Sequence, residues 1–141
     1  MNDMPTTGTP LLYPTMTYRD AGKMIDWLER AFGFRKHVAY MADDGKVIHA
    51  ELAFGNQLLM LGTAKTDTAF GKEVRPPRDI GSTTQAVYIA VPDADTVFAT
   101  AQAAGAEMIM GLTDQPYGSR DFICKDPEGH VWCFGTYAPR A

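Results

Sequence analysis

The chain has 141 residues, 45% of them apolar and 21% charged, with a net charge of −4, which suits an ordinary globular protein with one good core. Its Lys and Arg residues gather on no helix or arm, which argues against a nucleic-acid partner. No apolar run approaches the roughly 20 residues that a membrane-spanning helix needs, and the polar opening MNDMPTTGTP has no apolar centre of a secretory signal, so a cytoplasmic protein with no membrane partner is expected.

Residues 1–10 read as an arm ahead of the fold. Leu11 to Tyr18 reads as a strand, with Pro14 marking an edge or a bulge. Asp20 is a good N-cap, and behind it Met24, Trp27, Leu28 and Ala31 recur at helical spacing, which predicts an amphipathic helix ending near Phe32-Gly33. Phe34 to Met41, Lys46 to Phe54 and Gln57 to Leu61 read as antiparallel strands, joined by turns at Asp43-Asp44-Gly45 and Gly55-Asn56. The segment 64–82 contains Pro76-Pro77 and the cations Lys65, Lys72, Arg75 and Arg78. It is long for a loop in a compact domain and is expected to be a linker or a lid.

The second half repeats the first. Gln85 to Val91 is a strand, Asp93 an N-cap, and Ala94, Val97, Ala101 and Ala104 mark a helix face ending at Gly105. Met108 to Leu112, Ser119 to Lys125 and Val131 to Tyr137 supply three more strands, the last two joined by the turn residues Asp126-Pro127-Glu128-Gly129. Asp20 and Asp93, Met24 and Val97, Leu28 and Ala101, and Gly62 and Gly135 all stand 73 residues apart, a period that marks a duplicated module rather than a solenoid. The expected fold is α+β: two β-α-β-β-β modules, 11–63 and 83–138, in a single domain 1–141. Their strands form a curved, mostly antiparallel sheet around a concave cavity, with the helices outside.

The paired modules, together with VPDADTVFATAQAAGA (91–106) and the hairpin DPEGHVWCF (126–134), resemble the vicinal oxygen chelate superfamily of glyoxalases, bleomycin-resistance proteins and dioxygenases. The wording from Pro116 to Tyr137 is most similar to the bleomycin-resistance branch. The resemblance implies a homodimer. It also implies that the family's enzymes draw metal ligands, usually His or Glu, from the first and last strands of each module. Carried over, those positions are Tyr13, Met60, Ala86 and Cys133. A thioether, a methyl group, a neutral phenol and one thiol make a poor set for a hard divalent cation, so no metal or other cofactor is expected.

Strand side chains alternate faces. If positions 13, 60, 86 and 133 face the cavity, so do Thr15, Thr17, Leu58, Tyr88 and Val131, while Met16, Leu59, Leu61, Val87, Ile89, Trp132 and Phe134 pack under the helices. In the strand 46–54, Ile48 and Leu52 are assigned to the core, which sends His49 and Glu51 to the cavity. The strand 119–125 has two readings: a symmetric turn sets Cys124 opposite Cys133 and faces Arg120 and Phe122 inward, whereas one extra turn residue faces Asp121 and Ile123 inward. The cysteines lack zinc-type spacing and read as two thiols of a reducing compartment, although they flank one turn closely enough for a disulfide to be considered. Met108 and Met110 are read as sharing one strand face.

The candidate ligand-binding residues are therefore Tyr13, Thr15, His49, Glu51, Met60, Tyr88, Arg120 and Cys133, with no catalytic and no metal-binding residue assigned. The reading is a metal-independent protein that binds and sequesters an antibiotic-like, apolar or aromatic small molecule. The alternative is a metal-dependent lyase, isomerase or dioxygenase with an atypical site near His49 and Glu51. A third class is a structural or regulatory subunit whose cavity is filled by its own side chains.

Overall fold

In the computed structural model, which describes residues 8–140, the chain runs β1 (Thr15–Tyr18), α1 (Ala21–Phe32), β2 (Arg35–Met41), β3 (Val47–Phe54), β4 (Gln57–Thr63), α2 (Ala69–Glu73), α3 (Pro77–Ile80), β5 (Ala86–Ala90), α4 (Ala94–Ala103), β6 (Glu107–Asp114), β7 (Arg120–Lys125) and β8 (Val131–Gly135). The strands form two four-stranded sheets, ordered β1-β4-β3-β2 and β5-β8-β7-β6. In each sheet the first strand lies parallel to the last and the other pairs are antiparallel. The repeat holds to the residue: Thr15 pairs with Met60 and Tyr88 with Cys133, Met16 with Leu61 and Ile89 with Phe134. The chain divides into two compact units. One comprises the residues up to Glu29 together with Gly33–Val74, and the other Arg30–Phe32 together with the chain from Arg75 onward.

In the first unit, Asp20 caps α1 by accepting a hydrogen bond from the Lys23 amide at 3.1 Å, and Met24, Trp27 and Leu28 of the predicted stripe are buried; its fourth residue, Ala31, is buried too but belongs to the second unit. β1 is shorter than the sequence suggests. Pro14 has no N–H to give the ladder, though its carbonyl still accepts from the Met60 amide at 2.9 Å. Seven residues of the expected N-terminal arm, 1–7, lie outside the described residues. The alternation along β4 is as expected, with Leu59 and Leu61 buried; in β1 Met16 is buried as expected, but Thr17, expected at the cavity, is buried as well. Ile48 is not in the core. Tyr40 pairs with His49 and Met41 with Val47, so Ile48 is the extra residue of a β-bulge and is 44% exposed.

The segment 64–82 folds into α2 and α3, and the boundary between the units falls between them. Thr68 caps α2 by accepting from the Gly71 amide at 3.0 Å. A Cβ at Gly71 would fall on the Lys65 carbonyl oxygen, so this tight approach of backbone to backbone requires glycine.

In the second unit, Asp93 caps α4 through the amides of Asp95 and Thr96, and α4 packs on β6, β7 and β8. Beneath it Phe122 stacks on Phe134 at 5.1 Å and meets Phe98 edge-on at 5.3 Å. Phe32, from the last turn of α1, lies 5.2 Å from Trp132 and 4.7 Å from Phe134.

The turn between β7 and β8 settles which way β7 faces. The Asp126 amide donates to the His130 carbonyl, and the Gly129 amide to the Asp126 carbonyl, each at 2.9 Å. An odd number of residues is thereby left between the strands, and Ile123 rather than Cys124 lies opposite Cys133. Both cysteines are free. Met108 pairs with Cys124 and Met110 with Ile123. A bulge between them therefore places the two methionines on opposite faces, contrary to the sequence expectation.

Candidate functional site

In the first unit the cross-strand register sets Thr15, Met60 and Glu51 side by side on one sheet face. Two residues before Glu51, His49 shares that face, and its Nε2 lies 2.9 Å from Glu51 Oε2. The ring of Tyr40 is roughly parallel to that of His49, 6.2 Å away. Beside this row opens a cavity of about 350 Å³ whose lining includes Thr15, Thr17, His49, Leu61, Phe70 and Val74. Its outer wall is the segment 63–74, folded back by α2.

The other unit groups its polar residues differently. Tyr88, Cys133 and Ile123 form a row across β5, β8 and β7, and Asp121 lies opposite Gly135 on the same face. The Asp121 carboxylate is buried. Ser119 Oγ and the Tyr117 hydroxyl both donate to it, the latter at 3.0 Å. The Tyr88 hydroxyl donates to the Tyr137 carbonyl at 2.7 Å. A Cβ on Gly135 would strike both Asp121 Oδ1 and the Tyr88 hydroxyl, so glycine here lets the two side chains meet over the strand. The hydrogen bond to Asp121 raises the pKa of Tyr117 above the ordinary phenol value, with burial and the charge of Asp121 adding to it. Burial raises the Cys133 thiol, and the Asp121 charge raises it further.

The eight residues singled out in the sequence thus fall into separate places. Thr15, His49, Glu51 and Met60 come together in the first unit, and Tyr88 and Cys133 in the second. Tyr13 precedes β1 and spends its hydroxyl on the Pro10 carbonyl at 2.6 Å. Arg120 is not on the face of Cys133. Because of the odd turn it points the other way, where its guanidinium binds Asp95 of α4 at 2.6 Å and Asp114 at 3.1 Å. Asp121 takes the inward position instead, and its role was not assigned from the sequence. The signal was the turn length: counting Asp126 and His130 as a bridging pair would have turned Asp121 inward.

The residues at the family's metal positions do not fit a divalent cation. Tyr13 is committed to a carbonyl, Met60 offers a thioether, Ala86 offers nothing, and burial raises the Cys133 thiol, which works against the thiolate form. Among the described residues, no group of three or more His, Cys, Asp or Glu side chains is placed to hold a metal ion.

The sequence is 33% identical over 126 residues to an uncharacterized protein of Mycobacterium bovis, covering 89% of this chain and 82% of that one. The fold is similar to that of TioX from Micromonospora sp. ML1, with a TM-score of 0.71 and 31% identity over 94% of this chain and 99% of that one. It is also similar to the fosfomycin resistance protein FosX from Mesorhizobium loti, with a TM-score of 0.61 over 92% of each chain; at 17% identity this is a likeness of fold alone. The family model for the Glyoxalase/Bleomycin resistance protein/Dioxygenase superfamily matches residues 11–134. With its two β-α-β-β-β modules in the same register 73 residues apart, the chain belongs to that superfamily.

Proposed function

We propose that this protein binds a mostly apolar or aromatic small molecule without a metal, by shape and stacking, and sequesters it in the manner of the bleomycin-resistance-like branch. The observation that carries the reading is the cavity of the first unit. Its volume of about 350 Å³ and its mixture of Leu61, Phe70 and Val74 with the hydroxyls of Thr15 and Thr17 are those of a small-molecule pocket: apolar walls with a few convergent polar groups. The imidazole of His49, next to Glu51, gives this wall one group able to orient a ligand. The donor set at Tyr13, Met60, Ala86 and Cys133 supports metal independence.

The test is calorimetric titration with 2-naphthol, a neutral aromatic probe, followed by thermal unfolding in its presence. Saturable binding is expected, weakened by Phe70→Ala, and a ligand held at 100 times its dissociation constant adds about 2.7 kcal/mol of stability. A flat response to 2-naphthol and to a broad library of neutral aromatics overturns the reading. So does one equivalent of tightly held metal that is lost on Glu51→Ala.

A further inference from the structure

The second unit holds a buried negative charge without a cation. Asp121 is 8% exposed and receives two hydroxyl donors, Ser119 and Tyr117. Among the described residues no Lys, Arg or His pairs with it. The arginine adjacent in sequence, Arg120, is turned to the other face and already bound to Asp95 and Asp114. A carboxylate removed from water gains most from an opposite charge, and a carboxylate can accept more than the two hydrogen bonds counted here.

What surrounds it is aromatic. Tyr88, Tyr117 and Tyr137 are 40%, 65% and 52% exposed, high values for large rings. The rings of Tyr117 and Tyr137 meet edge to face, 6.2 Å apart at 82°. The pieces are tied together. Tyr117 is fixed to Asp121 through its hydroxyl, and the Tyr137 amide donates to Ser119 Oγ, itself bonded to Asp121. Tyr88 binds the Tyr137 carbonyl. The result is an edge-to-face pair of exposed rings, held in place, with a buried carboxylate bonded to the hydroxyl of one of them. Exposed rings attract cations, and the charge of Asp121 adds to that attraction.

We propose that the edge-to-face pair of Tyr117 and Tyr137, anchored to Asp121, binds a cationic ammonium group of a small molecule. This rests on the reading of the protein as a small-molecule binder and goes on to name the charge of one part of its ligand. Tyr117 and Tyr137 offer their exposed rings, Asp121 supplies the counter-charge, and Tyr88 is tied to the group through the Tyr137 carbonyl.

The probe is benzyltrimethylammonium, compared with the neutral benzyl alcohol, each titrated into the isotopically labelled full chain and followed by amide NMR. Saturating shifts are expected at residues 117–121 and 135–137, with at least tenfold weaker binding of benzyl alcohol. Asp121→Asn, with its fold checked by circular dichroism, is expected to weaken the cation at least tenfold. Tyr137→Leu, which leaves the carboxylate and its hydroxyl donors in place, is expected to do the same. Equal affinity for the two probes, shifts confined to other residues, or unchanged binding by Asp121→Asn and Tyr137→Leu overturns the assignment. Saturable 2-naphthol binding with no response to benzyltrimethylammonium also overturns it while leaving the binding reading intact.

Discussion

The indole Nε1 of Trp132 donates to the carboxylate of Asp126 at 3.1 Å, and both residues are almost wholly buried. The other oxygen of Asp126 accepts from the amides of Glu128 and His130 at 2.9 and 3.1 Å. One side chain therefore sets the turn, its odd length, and the seat of the largest core residue. Asp126→Ala strands buried donors and should cost about 3 kcal/mol, while Asp126→Asn keeps an acceptor and should cost roughly half as much. Urea unfolding measures both, and a loss below about 1 kcal/mol for the alanine variant would contradict this role for the side chain.

The thiols make a prediction about alkaline pH. Burial, helped by the charges of Asp126 and Cys133, pushes the Cys124 thiol from 9.0 up to about 12. Between those values the unfolded chain releases a proton that the folded chain keeps, so stability falls as pH rises through that window. In Cys124→Ala this contribution is gone, and the alkaline loss of stability should be less steep than in the parent. Thiol labelling of the folded protein at pH 8 should find the half-buried Cys133 reacting slowly and Cys124 more slowly still.

Gly71→Ala tests the folded-back wall of the first cavity. The added Cβ would meet backbone at Lys65, not a flexible side-chain end, so the segment 64–74 must shift. The expected cost is local, about 1–2 kcal/mol. Tryptic cleavage at Lys65 and Lys72 should become roughly tenfold faster with little change in the global melt. An equally large drop in the global unfolding midpoint would show that the wall is part of the cooperative core.

The His49–Glu51 pair separates binding from stability. Its side chains are 38% and 28% exposed, and an ion pair so open to water is worth about 0–1 kcal/mol. Glu51→Gln should therefore leave the melting curve nearly unchanged, leave the metal content unchanged, and alter 2-naphthol affinity several-fold through the orientation of His49. A melt lowered by more than about 2 kcal/mol would assign the pair a structural role instead.

Much of this was legible in the residues. The repeat and the alternation that buries Met16, Leu61, Trp132 and Phe134 follow from spacing and period. What spacing cannot count is an extra residue. Ile48 looked like core because an unbroken strand puts it on the face of Leu52, and one bulge moved it to the surface. For β7 two readings stood open, and a turn one residue longer than the symmetric case selects the one that faces Asp121 inward and Arg120 away. Met108 and Met110 were separated by a further bulge. The segment 64–82 carried no periodicity to read, because its helices are only five and four residues long: α2 rests on a cap at Thr68 and a backbone approach at Gly71, and α3 starts on a proline without a side-chain cap.

Phe32 gives the duplication a twist of inheritance. The last turn of the first helix is counted with the second unit, where its ring fills the space beside Trp132 and Phe134. The two copies therefore cannot be parted by one cut in the gene. A fragment beginning at Arg75 would be born with a hole where that ring belongs. A chimaera that exchanged whole halves between relatives would have to carry Phe32 along with the half it serves.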